Sequence, residues 1–468
     1  MDVNFDEKPY VQRPVVDQLL RPTHRFFRLE AASAILLLLA SLLAIGWANA
    51  PFAESYSHLW HAQISLFVGE WEITRSLVHW VNDGLMAIFF FTVGLEIKRE
   101  VMVGELSTPK MAMLPVVAAL GGMIFPGIIY VCFNFGTDNM SGWAIPMATD
   151  IAFAIGAIAV FGKKLPTGLR VFLAAFAIAD DLGAVLIIAL FYSSGFVLNY
   201  IFAALLSVIL LFFANALWIR WVPLYVLLGL GTWVAVLGSG IHPTVAGVVV
   251  AMFVPARARY NTGYFLKKAH SILDRYRYNA QFDNYWYAIL LNQEHLNTVL
   301  ALEMACHDVQ TPLQRFEHLL HPWVAFLILP IFALGNAGLT LKGISVAEAA
   351  FHPVATGSML GLFIGKPIGI TLFARLAVWA GIAALPAGVY WRHIIGAGML
   401  GGIGFTMSLF ISGLSFTDPA LLNCAKLGVL TGSILSVCVG LAYLGIDCMR
   451  NRKKCDVDDL GVPPPANP

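Results

Sequence analysis

The feature that most limits what this chain can become is the recurrence of apolar runs of about twenty residues, the length at which an α-helix matches a bilayer core about 30 Å thick. Such runs recur from Leu29 almost to Cys448. Twelve segments are read, at approximately 29–50, 76–97, 111–134, 143–161, 170–192, 196–218, 221–238, 241–255, 321–338, 354–379, 393–414 and 423–447. Several are short or interrupted by Gly and Pro. Of the 468 residues, 59% are hydrophobic and only 12% charged, which argues against a water-soluble globular protein.

Lys and Arg alternate strongly between successive loops. One set of loops holds Lys8, Arg13, Arg21, Arg25 and Arg28, then Lys98, Arg99 and Lys110, Lys163, Lys164 and Arg170, Arg220, the 256–320 stretch, Arg375 and Arg392, and finally Arg450, Arg452, Lys453 and Lys454. The other set holds little beyond Arg75 and Lys342. The positive-inside rule therefore expects both termini in the cytoplasm and an even number of spans. The expected organisation is a cytoplasmic tail (1–28), membrane segments one to eight (29–255), a cytoplasmic insert (256–320), segments nine to twelve (321–447) and a second cytoplasmic tail (448–468). No cleaved signal is expected, because the first apolar run is too long for a signal-peptide core. Within the insert, Ile289, Leu296, Val299 and Leu300 recur at near-helical spacing in 285–305, the pattern of an amphipathic surface helix.

Cysteines 132, 306, 424, 438, 448 and 455 form no CxxC pair and fall in spans or on the cytoplasmic side, so neither disulfides nor a structural metal site are expected. Cys306-His307 with His295 reads as part of a surface helix rather than a ligand cluster. No GxxxxGK[ST] stretch is present, so nothing points to ATP as a driving force, and neither a cofactor nor nucleic acid is expected.

A charged side chain at a span centre costs about 2.5–3.5 kcal/mol on insertion scales, so each one needs a reason. Four stand out: Asp150, Asp180, Asp181 and Lys366. Asp180 and Asp181, in FAIADDLGAV, lie halfway along the fifth segment and are too short to snorkel. Adjacent helical positions point about 100° apart, so the two carboxylates should have different neighbours, one lining a water-filled funnel and the other turned toward a basic partner. A buried ion pair that only joins helices is the alternative, though such pairs often add no net stability. Removing a carboxylate from water favours its protonated form, and a like-charged neighbour adds to this. A carboxylate so placed holds a proton or a hard monovalent cation, but not comfortably both. Lys366, in LFIGKPIGI, needs an anion, and Asp180, Asp181 or an exposed helix C-terminus would serve.

Two spans look broken. In GWAIPMATDIAFAIG, Pro146 removes a backbone donor just before Thr149 and Asp150. In IIGAGMLGGIGFTMSLFI, glycines 396, 398, 401, 402 and 404 weaken the eleventh segment, although glycine clusters also permit close packing. Interrupted spans at matching places, within segments three to five and ten to twelve, point to an inverted-repeat transporter with a midplane site.

These residues resemble the NhaA-type sodium/proton antiporters, a family with inverted repeats and broken helices. The resemblance rests on MATDIAFAIGAIAVFGKKLP, FLAAFAIADDLGAVLIIALFY, VNDGLMAIFFFTVGLEIKRE, GSGIHPTVAG, RFEHLLHPWVAFLILPIFALGNAG, GLFIGKPIGI and GGIGFTMSLFI, in family order. It implies an all-α polytopic protein of about twelve helices, with helices four and eleven broken. It implies that Asp180 and Asp181 bind Na+ or Li+ and exchange protons, and that Thr149, Asp150 and Lys366 complete the cation and proton site. It further implies pH regulation through Glu96, Arg99, Glu317, His318 and His242, electrogenic exchange by alternating access, a homodimer and a bacterial inner-membrane location. Gln314 stands where some relatives carry a base, and the 256–320 insert is longer than in the best-known members; both departures touch the regulatory region.

Among the residues themselves, a cation channel or another cation/proton exchanger would also place acids at depth. A channel would more often repeat filter residues in a ring than oppose one Asp-Asp pair with a Lys. An intramembrane aspartyl protease would need two carboxyls about 3 Å apart sharing a proton, which neighbours on one helix cannot provide, so no enzyme is expected.

Overall fold

The structure, a computed structural model, describes residues 32–68, 71–193, 195–258, 260–274, 293–340 and 346–450. The expected N-terminal tail (1–28), residues 451–468 of the C-terminal tail, Lys342, Cys455 and the 275–292 part of the insert with Ile289 lie outside them. The described residues fall into two compact units, one of residues 254–318 and a larger one of residues 32–253 with 319–450.

In chain order the larger unit begins with α1 (Ala32–Asn49), α2 (Ala53–His61), the strands β1 (Gln63–Val68) and β2 (Trp71–Ser76), α3 (Leu77–Val103), α4 (Pro109–Asn134), a tight 3₁₀ stretch α5 (Asp138–Met147) and α6 (Ile151–Ala159). It continues with α7 (Thr167–Phe191), α8 (Leu198–Ala216), α9 (Val222–Ser239) and α10 (Thr244–Phe253). The smaller unit holds α11 (Thr262–Leu273) and α12 (Gln293–Val309), the latter covering Leu296, Val299 and Leu300 of the expected surface helix. Then follow α13 (Pro312–Asn336), α14 (Pro353–Trp379), α15 (Trp391–Gly401), α16 (Phe405–Ser415) and α17 (Pro419–Arg450).

Ten helical runs among the described residues are long and apolar enough to cross a membrane, with α5 and α6 taken as one, and the pair α15 and α16, bent by 45°, makes an eleventh. The chain is an all-α multi-pass membrane protein. The eighth expected span, 241–255, holds the apolar helix α10, which falls outside that count by its length alone. Helix α10 has ten residues, about 15 Å at 1.5 Å per residue, about half the thickness of a bilayer core. It packs tightly on α3, where a Cβ on Gly247 would lie 2.3 Å from the Ala87 carbonyl oxygen and one on Gly94 2.7 Å from the Ala251 Cβ. The β1–β2 hairpin, paired antiparallel with Gln63 opposite Ser76, connects α2 to α3.

Large apolar side chains point outward along α8, among them Phe202, Leu206 and Phe213, as expected where the surrounding solvent is hydrocarbon. The polar side chains of the site are held inside by close helix contacts. Helix α14 meets α4 through glycines: a Cβ on Gly369 would come within 2.1 Å of the Gly121 carbonyl oxygen, and one on Gly365 within 2.9 Å of the Pro126 Cα. Immediately before Lys366, residues Gly361–Gly365 form a widened π-turn. Pro367 cannot donate to the residue 363 carbonyl, and the wider turn takes up that missing bond and the ring's bulk.

Candidate ion site at the crossing of two broken helices

The two breaks meet. Between α5 and α6, Ala148 and Asp150 adopt extended backbone (ψ 149° and 102°), and the Asp150 N–H donates to the Ile403 carbonyl at 2.6 Å, inside the break between α15 and α16. Pro146 removes a donor, while Thr149 and Asp150 offer side-chain partners that compete with helix, so the chain unwinds where the two effects coincide. In the partner span the unwound residues are Gly402, Ile403 and Gly404. Gly396 lies within continuous α15, and a Cβ there would meet Leu444 at 2.3 Å, so that glycine serves packing rather than the break.

Asp150 caps both half-helices that start at the crossing. Its Oδ1 accepts from the Phe153 N–H (3.2 Å) at the start of α6, and its Oδ2 from the N–H (3.0 Å) and hydroxyl (2.5 Å) of Thr406 at the start of α16. Each helix N-terminus carries about half a positive charge, so one carboxylate offsets two ends. On the opposite side, the Thr149 hydroxyl donates to the Gly401 carbonyl at the end of α15 (2.9 Å).

Lys366 reaches this crossing from α14. Its Nζ donates to the Thr149 hydroxyl and, at 2.7 Å, to Asp180 Oδ2, and it stands 5.9 Å from the centre of the Phe176 ring, one turn before Asp180 on α7. Of the anions considered for Lys366, Asp180 is thus the direct partner, and the helix C-terminus is reached through Thr149. Asp180, Asp181 and Lys366 are all fully buried, and Asp150 is 2% exposed. The expectation that one acid of the pair lines a water-filled funnel is therefore corrected. Both are enclosed, Asp181 being flanked on α7 by Ile178 and Leu182, which pack with Val93 and Ile97 of α3 and Ile151 of α6.

Three buried carboxylate oxygens, Asp180 Oδ1 and both oxygens of Asp181, have no hydrogen-bond partner among the described residues. Unpaired buried oxygens are costly. Hard oxygen donors of this kind suit a small hard cation or a proton.

Glu96 and Arg99 are half-buried on α3, where Arg99 pairs with Glu100 at 3.1 Å. Glu317 and His318 belong to the smaller unit, half-buried and exposed respectively. His242 is buried before α10, its Nδ1 2.7 Å from the Thr244 hydroxyl. Sequence reasoning missed Thr406, whose place two residues past the last glycine of the break marks a helix start, and Asn82-Asp83, a polar pair within an apolar segment.

A family profile described as Na+/H+ antiporter 1 matches residues 24–444. The chain belongs to that family. Among similar proteins are the Na+/H+ antiporter NhaA of Oleidesulfovibrio alaskensis, 45% identical over 421 residues (90% of this chain, 93% of the relative), and NhaA 2 of Syntrophotalea carbinolica, 44% identical over 426 residues (91% and 96%). NhaA of Koribacter versatilis is 43% identical over 444 residues, 95% of each chain. The matched span of the Na+/H+ antiporter 1 family contains both breaks, the aspartate pair and Lys366.

Proposed function

We propose that the chain is a secondary active Na+/H+ antiporter of the bacterial cytoplasmic membrane, with both termini inside and Li+ accepted in place of Na+. The observation that carries the reading is the set of three carboxylate oxygens on Asp180 and Asp181 without a partner among the described residues, buried beside Lys366 at the crossing of two broken helices. From the cytoplasm, the cation binds the deprotonated pair. The site then turns outward, the cation leaves and protons replace it, so cation and proton never share the site. Lys366 holds Asp180 while the cation is absent and yields it when the cation enters. Thr149 holds the Lys366 ammonium, and Asp150 fixes the two half-helices. The transported cation is cargo, and no resident cofactor takes part.

Exchange moves more protons inward than sodium outward, so membrane potential contributes about 2.3 kcal/mol per net charge per 100 mV to extrusion. Glu96, Arg99, Glu317, His318 and His242 set its pH response, and the working unit is a homodimer. In everted vesicles, added sodium should dissipate a preset pH gradient, and Asp181→Asn should abolish this. Sodium flux without proton movement would replace the antiport reading with a channel. Sodium jumps on proteoliposomes adsorbed to a solid-supported membrane should give a current; electrically silent exchange would refute the electrogenic part alone.

A further inference from the structure

A second polar group lies inside α3. Asn82 and Asp83 sit on a widened turn, Val81–Leu85. Asn82 and Asn336 of α13 exchange amide hydrogen bonds at 3.2 and 2.8 Å, a strut between the two helices. The backbone carbonyl of Asp83 accepts from the Trp233 indole at 2.9 Å. Its carboxylate lies 4.0 Å from His242 Nε2 and is 17% exposed. An ionisable side chain within a span calls for a task, and the exchange reading gives this one none.

A contiguous path of side chains joins Asp83 to the crossing. Thr406, held on Asp150, is one turn before Phe410 on α16. The Phe410 ring lies 5.4 Å from the His242 ring, 5.9 Å from Phe90 and 6.0 Å from Phe332. Phe90, Phe332 and Phe410 are at most 1% exposed, and Phe90 is seven residues, two turns, beyond Asp83 along α3. The three rings thus form an apolar layer with the aspartate pair on one side and a partly accessible carboxylate on the other. With the termini inside, α3 runs inward, which places Asp83 on the outer side.

We infer that Asp83 is a second carboxylate station for the transported monovalent cation, outside a closed layer formed by Phe90, Phe332 and Phe410. The inference rests on the antiport reading and its orientation. A cation released past the rings meets an anionic oxygen before bulk water, and one entering from outside is concentrated there first. The Asn82–Asn336 strut fixes the wide turn that presents Asp83.

The test uses membrane vesicles of both orientations carrying the full chain, with sodium applied to one face and proton movement read. Asp83→Asn should raise the sodium concentration for half-maximal exchange at the outer face about five- to tenfold, leaving the cytoplasmic-face value within about twofold. Asn82→Asp, which keeps an acceptor for the Asn336 amide and adds a charge beside Asp83, should lower the outer-face value several-fold, and it reads the station even if Asp83→Asn does not insert. Equal shifts at both faces, or no shift in either variant, would overturn the station while leaving antiport standing. Wild-type vesicles that exchange no protons for sodium would overturn both.

Discussion

Lys366 and Asp180 offer a test in which the order of stabilities matters more than any single value. Both side chains are fully buried, with Lys366 Nζ 2.7 Å from Asp180 Oδ2, and Asp180 Oδ1 has no hydrogen-bond partner among the described residues. Lys366→Met, close in length and flexible enough to fill the space, strands a buried carboxylate and should cost about 3–5 kcal/mol. Adding Asp180→Asn removes the stranded charge. Replacing both members of a buried pair by uncharged groups is often neutral or stabilising by about 1–4 kcal/mol. The double variant should therefore be more stable than Lys366→Met alone and close to wild type, a coupling of at least about 3 kcal/mol. Thermal unfolding of the purified full chain in detergent, followed by size-exclusion fluorescence, reads this order. A double variant no more stable than Lys366→Met would show that the pair is not the electrostatic unit its geometry implies.

Two further substitutions separate function from folding. Asp181→Asn should abolish sodium-dependent proton movement yet leave thermal stability equal to or above wild type, since neither carboxylate oxygen is bonded within the described residues; a marked fall in melting temperature would mean that Asp181 supports the fold. Gly369→Ala should sharply lower the yield of folded protein, because its Cβ would press on the Gly121 backbone at 2.1 Å, whereas Gly413→Ala, with nothing within 4 Å, should be neutral or stabilise by up to about 1 kcal/mol. Equal yields of the two variants would remove the close α4–α14 contact as the element that positions Lys366.

Much of this arrangement is written in one-dimensional patterns. Segment length locates the spans, and the cost of burying charge singles out Asp150, Asp180, Asp181 and Lys366, because both signals are local. The choice of Asp180 as the partner of Lys366 is not local. It depends on the rotation that the widened turn at Gly361–Gly365 gives α14 and on the glycine contacts that bring α14 onto α4. For the same reason, the glycines of the eleventh segment could not be divided by sequence into those that open the break, at 402 and 404, and one that makes room for Leu444, at 396. The ten-residue length of α10 is likewise not legible, because hydropathy does not register where a helix starts or stops. Asp83 is not singled out by the same test because it lies toward the start of the expected segment 76–97 rather than at its centre.

The cap made by Asp150 has a consequence for the sign of the ion admitted. The starts of α6 and α16 together present about one unit of positive charge, and this single carboxylate bonds to both. With it in place the two helix starts are close to neutral, and the acids of α7 together with Lys366 set the local potential. In Asp150→Asn the same backbone would present net positive charge toward those acids, the kind of surface that helix starts offer to phosphate and other anions. Preference for a cation over an anion at this crossing thus depends as much on a side chain that faces the protein's own backbone as on those that face the ion.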